Sequence, residues 1–153
     1  MARFFDIDAA NAALPELRTI LETLRDERGQ LIALRDEFAR QGVEAAPRAE
    51  SGVVDTGRSG GDDDADDDSP SAEERRRIRL RMQGVIDQMQ AGVARIDELG
   101  VTLREIETGL IDFPALVNGR QVWLCWRLGE GDVDSWHELS DGFGGRKPLA
   151  ELS

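Results

Sequence analysis

The sequence predicts an α+β fold: a long antiparallel two-helix hairpin, coiled-coil-like, with a small antiparallel β-hairpin or sheet at its base. Three observations carry that reading. Apolar residues recur at heptad spacing over two stretches, from about Asp8 to Arg40 and from about Pro70 to Leu99. Between them lies a segment rich in Gly, Ala and Asp with few large apolar residues. Beyond Gly100 the helical period gives way to extended apolar runs on either side of Asn118-Gly119, a dipeptide that favours a two-residue hairpin turn.

Within a single domain of 153 residues, residues 1–41 are expected to hold an N-terminal strand and helix 1. The helix stripe is Leu14, Leu17, Leu21, Leu24, Leu31 and Phe38, widened by Ile20 and Leu34 and interrupted by Arg28 and Arg35. Asp8 or Asn11 would cap its start and Gly42 would stop it. Pro15 fits only a first turn, so a start near Asn11 or Leu14 is favoured over Asp8. Arg3 to Ile7 would be a strand covering the sheet.

Residues 42–69 read as a disordered acidic linker. From Gln41 to Ser71 there are nine acids against two arginines, so most of the net charge of −12 sits in this segment. Its Asp run lacks the alternation, central Gly and twelfth-position Glu of an EF-hand loop, so a solvated tether is favoured over a calcium site. Residues 70–100 read as helix 2. Its seam of Ile78, Met82, Val85, Met89, Gly92, Ile96, Leu99 and Leu103 keeps a 4-3 spacing throughout. Ser71 to Glu74 has capping-box spacing, with Ser69-Pro70 a rival start. Gly92 would admit a neighbouring backbone, and Gly100 suits a C-cap. Neither helix can bury its stripe alone. Local pairing favours an intramolecular hairpin over a parallel seam for self-association.

Residues 101–153 hold the β-hairpin and a motif-rich region. Gly109 to Val117 and Gln121 to Leu128 would be its strands, with Pro114 at an edge or irregularity because it cannot donate a ladder bond. Trp136 to Leu139 is a candidate third strand, and Gly142 to Arg146 a turn-rich tail. By alternation Trp123, Cys125 and Arg127 share the more mixed face, and Leu124, Trp126 and Leu128 the apolar one.

No window holds eighteen consecutive apolar residues, and the acids at Asp6 and Asp8 interrupt any signal-peptide core, so a cytoplasmic, non-membrane protein is expected. One cysteine cannot close an intramolecular disulfide. The acidic balance offers no footprint for nucleic acid.

Gly109-Leu110-Ile111-Asp112-Phe113-Pro114, Leu124-Cys125-Trp126-Arg127-Leu128-Gly129-Glu130, Trp136-His137-Glu138 and Gly142-Phe143-Gly144-Gly145-Arg146 resemble the signature blocks of the domain of unknown function 2203 family of bacteria and archaea. The helical part is similar too, so the resemblance spans most of the chain; the Asp-rich connection lies outside it. The resemblance supplies a relative and no mechanism.

The residues themselves mark the C-terminal third as the place for chemistry. All three Trp and the Cys lie between Trp123 and Trp136, among Asp112, Arg127, Glu130, Trp136, His137, Glu138 and Arg146. These seven form the candidate ligand-binding cluster, with His137, Glu138 and Glu130 as candidate ligands for a divalent metal. Against a metal, His137 and Glu138 are adjacent and would point to opposite faces of a strand. Cys125 and His137 could act as nucleophile and base, although a Cys between two Trp also reads as a small buried hydrophobe. A structural ion-pair network of the arginines and carboxylates is favoured over a ligand pocket. Two functions follow: foremost, a non-enzymatic interaction or assembly module using the helices for a protein partner or self-association; alternatively, a small-molecule- or metal-binding protein, enzymatic or not, using the C-terminal cluster.

Overall fold

The computed structural model describes residues 3–45 and 70–152. The acidic linker therefore lies almost wholly outside the described residues. Helix α1 spans Ile7–Ala45 and helix α2 spans Pro70–Glu98. Five strands follow: β1 Thr102–Glu105, β2 Leu110–Val117, β3 Arg120–Arg127, β4 Ser135–His137 and β5 Lys147–Pro148. They form one antiparallel meander in the order β1-β2-β3-β4-β5. Among the described residues no helix is long and apolar enough to cross a membrane.

α1 begins earlier than Pro15 suggests. Asp6 caps it: Ala9 N–H donates to Asp6 Oδ1 at 2.6 Å, and Ala10 N–H to the Asp6 carbonyl at 3.0 Å. Pro15 then lies inside the helix. Its missing N–H leaves one carbonyl, that of Asn11, without its usual partner, a cost the packing of the helix outweighs. The helix also runs through Gly42 rather than stopping there. At the other end α2 closes earlier than its seam implies. Gly100 has φ 81°, its N–H donates to Asp97 O at 2.9 Å, and Val101 N–H donates to Ile96 O at 3.2 Å. That is a Schellman closure. Leu103 thereby leaves the helical seam and enters β1.

The hairpin forms as its turn residues require. Asn118 has φ 52° and Gly119 φ 78°, the left-handed pair of a type I′ turn, and Val117 pairs with Arg120. No strand forms over Arg3 to Ile7. Phe5 N–H instead donates one bond, 2.7 Å long, to the carbonyl of Pro114. A strand residue points its N and C=O to the same side. Pro114 therefore turns its donor-less nitrogen away from β3, past the last residue that β1 covers, and no ladder bond is lost.

Two compact units divide the chain. The first, Met1–Gly29 with Asp87–Ser153, holds the main core. Leu14, Leu17, Leu21 and Leu24 of α1 and Ile96 of α2 pack against one face of the sheet, formed by Ile111, Phe113, Ala115, Val122, Leu124, Trp126 and Trp136. Arg95 Nε donates to Glu16 Oε1 at 2.8 Å between the helices. A Cβ on Gly92 would lie 3.1 Å from Leu24 Cδ2, so the bare glycine marks the close approach anticipated there. The second unit, Gln30–Ile86, buries Leu34 and Ile78, and the Arg75 and Arg79 guanidiniums lie 4.8 and 5.6 Å from the Phe38 ring centroid. In the first unit Glu16 meets Arg95 and Leu24 meets Gly92, a pairing that runs in opposite chain directions, so the helices are antiparallel there.

Candidate functional site

Strand alternation sends Asp112 (β2), Cys125 (β3) and His137 (β4) to the sheet face opposite the helices. Asp112 pairs with Cys125, and His137 pairs with Trp123, two residues along β3, so the three side chains meet on adjacent strands. An outer face would ordinarily be wet. Here the chain after β4 returns over it, and the three residues are only 1–2% exposed. A cavity of about 310 Å³ remains, with Asp112, Cys125 and His137 joined in its lining by Arg104, Leu110, Leu139, Asp141, Gly142 and Phe143.

The donor atoms of Asp112, Cys125 and His137 all lie within 4.8 Å of one another. His137 Nδ1 sits 2.9 Å from the Glu138 carbonyl, which can only accept, so Nδ1 carries the hydrogen. His137 Nε2 then faces Asp112 Oδ2 at 3.0 Å. A lone pair and a carboxylate oxygen at that distance repel unless a proton is shared between them or a metal ion binds both. Arg104 Nε also donates to Asp112 Oδ2, at 2.8 Å. The second oxygen, Oδ1, is buried with no N–H or O–H partner among the described residues, and the Cys125 thiol is a hydrogen-bond neighbour of the same carboxylate. An unpaired buried carboxylate oxygen is costly and calls for an explanation. Burial, reinforced by the Asp112 carboxylate and opposed by Arg146, pushes the Cys125 thiol up to about 12. Without a metal Cys125 is a protonated, weakly reactive thiol, which does not suit a nucleophile working beside His137.

The other sequence candidates divide away from this centre. Glu130 is held by Arg146 in a fork, Nη1 to Oε2 and Nη2 to Oε1, both 3.0 Å. Burial works against the Arg146 charge, but the hydrogen bond to Glu130 and the surrounding negative charge more than offset it and raise its pKa. Arg127 is exposed; its backbone N–H donates to Glu130 Oε1, and its guanidinium lies 5.2 Å from the Phe143 ring, with Arg146 4.6 Å from the same ring. Glu138 accepts from Arg120 at 2.6 Å. Trp136 faces the core and donates from Nε1 to Pro148 O at 3.1 Å. The candidate metal ligands Glu130 and Glu138 thus have arginine partners, whereas His137 joins Asp112 and Cys125. Arg146 touches both groups, through a 3.4 Å bond to the Cys125 carbonyl.

Arg104 escaped the sequence reading because Leu103 looked like the last member of the α2 seam. The alternation of Thr102, Leu103 and Arg104 was its only signal. A family model described as "Uncharacterized conserved protein (DUF2203)" matches residues 3–149. No curated protein and no solved structure matches the chain.

Proposed function

The chain belongs to the DUF2203 family, whose description assigns no activity, and from the geometry we propose that it is a transition-metal-binding protein centred on Asp112, Cys125 and His137. One observation carries the reading: three different ligand types converge within 4.8 Å in a buried site, with Asp112 Oδ1 left unpaired. The donor set fits a zinc-type ion. Tetrahedral bonds of about 2.0–2.3 Å place donor atoms roughly 3.3–3.7 Å apart, a small adjustment from the present spacing. The Nδ1–H bond to Glu138 O is the kind of outer contact that aims Nε2 at a metal. An ion would also turn the Cys125 thiol into a thiolate, against the push of burial. Three protein ligands would leave a fourth position facing the cavity. The partner-surface reading of the helices draws less support. Among the described residues, Leu80 and Val93 are the helices' large hydrophobics most open to solvent beyond Ile7, and singly exposed apolar residues are ordinary.

Cobalt(II) titration of the metal-stripped protein tests the proposal. One equivalent should produce visible d–d bands and a near-ultraviolet thiolate-to-cobalt band. Cys125→Ser should remove the latter, and His137→Gln should weaken binding by more than the roughly 10–100-fold typical of losing a supporting contact. Colourless protein with no cobalt retained after dialysis would refute it.

A further inference from the structure

We infer that the cavity above this centre takes a small monocarboxylate with an apolar body, one carboxylate oxygen filling the open metal position and the other accepting from Arg104. The inference rests on the metal reading and adds the ligand class. Its observation is the state of Arg104. Only Nε is engaged, at 2.8 Å from Asp112 Oδ2, while the two terminal nitrogens have no partner among the described residues. The side chain is 42% exposed and lines the cavity. Its guanidinium carbon stands 4.9 Å from the Trp123 ring centroid, so the plane is braced from one side as well as anchored at Nε. A braced guanidinium with free donors is built for planar carboxylate recognition. The wall is mixed: Leu110, Leu139 and Phe143 supply apolar surface for a ligand's body, beside the polar groups of the centre. Asp141 lines the same cavity and adds a negative charge, which disfavours a dianion and selects a singly charged ligand.

The test uses the full chain loaded with cobalt(II), and benzoate as the probe. Benzoate should shift the d–d bands saturably, while neutral benzamide, of the same shape, should not. Inorganic phosphate should compete at least about tenfold more weakly. Arg104→Lys retains the positive charge and loses the fork; cobalt should still bind and benzoate affinity should fall about tenfold or more. Leu139→Ala shortens a residue that is 52% exposed, so folding should survive, and it should weaken benzoate several-fold while adding no ligand for cobalt. Cobalt bands indifferent to benzoate would overturn the inference and leave the metal centre standing. Absence of cobalt bands would overturn both. Benzoate affinity that is equal with and without cobalt, or matched by phosphate, would overturn the shared coordination proposed here.

Discussion

Cys125 illustrates how one buried atom sets a pH dependence. Its folded pKa is raised from 9.0 to about 12, so in the metal-free protein the unfolded chain releases the thiol proton while the native chain keeps it. The unfolded state then binds fewer protons, and stability falls as pH rises from about 9 towards 12, by at most about 1.4 kcal/mol per pH unit. With no Tyr and one Lys, the chain has few other groups to mask the effect. Urea midpoints of wild type and Cys125→Ser should converge as pH is raised over this range; parallel curves would contradict the buried, protonated thiol. The arginines separate just as cleanly. Arg146 and Glu130 side chains are 17% and 23% exposed, so Arg146→Ala should cost about 2–3 kcal/mol by stranding a carboxylate. Exposed Arg127→Ala should cost about 1 kcal/mol or less in the same chemical melts. Residue identity alone could not tell these two apart. Both precede or follow carboxylates in sequence, and only the fold of the loop after β3 decides which guanidinium reaches Glu130.

At the scale of elements, periodicity and turn chemistry were the legible signals. The Leu stripe of α1, the seam of α2 and Asn118-Gly119 each found the element they imply, because each encodes a local geometry and its burial together. β1 was hidden by the same logic: Leu103 continues the 4-3 spacing of α2, and the period cannot register that Gly100 has already reversed the chain. The early start of α1 was hidden by Pro15, whose local penalty is smaller than the burial of the turns before it, Ala10 and Leu14 included. Gly92 offers a direct test of the helix contact. Its missing Cβ faces Leu24, which is 0% exposed and has little room to yield. Gly92→Leu should therefore lower stability by about 1–3 kcal/mol despite the better helix propensity of leucine. An unchanged or raised thermal midpoint would mean that the two helices do not meet there.

Across the whole molecule, burial is unevenly shared. Of the buried apolar side chains, Leu34 and Ile78 alone fall in the unit Gln30–Ile86 among the described residues, and the rest belong to the other unit. Amide exchange should follow that division, with the helical stretches 30–41 and 71–86 opening well before 10–28 and the strands β2 and β3. Uniform protection along both helices would contradict it. The fold class was legible because it depends on the sum of many such apolar positions. The site was only half legible, because Asp112 and His137 announce themselves by type while their convergence with Cys125 depends on strand register. One further contact carries a consequence for synthesis. Asn11 Oδ1, on the first turns of α1, accepts from the Val133 N–H at 2.7 Å, a partner 122 residues later in the chain. The leucines of α1 likewise face strands that have not yet been made when they leave the ribosome. At about 5–20 residues per second, that stripe waits roughly 6–24 s for its cover. The nascent chain is then an amphipathic helix without its sheet, and this is the interval in which a chaperone would find it.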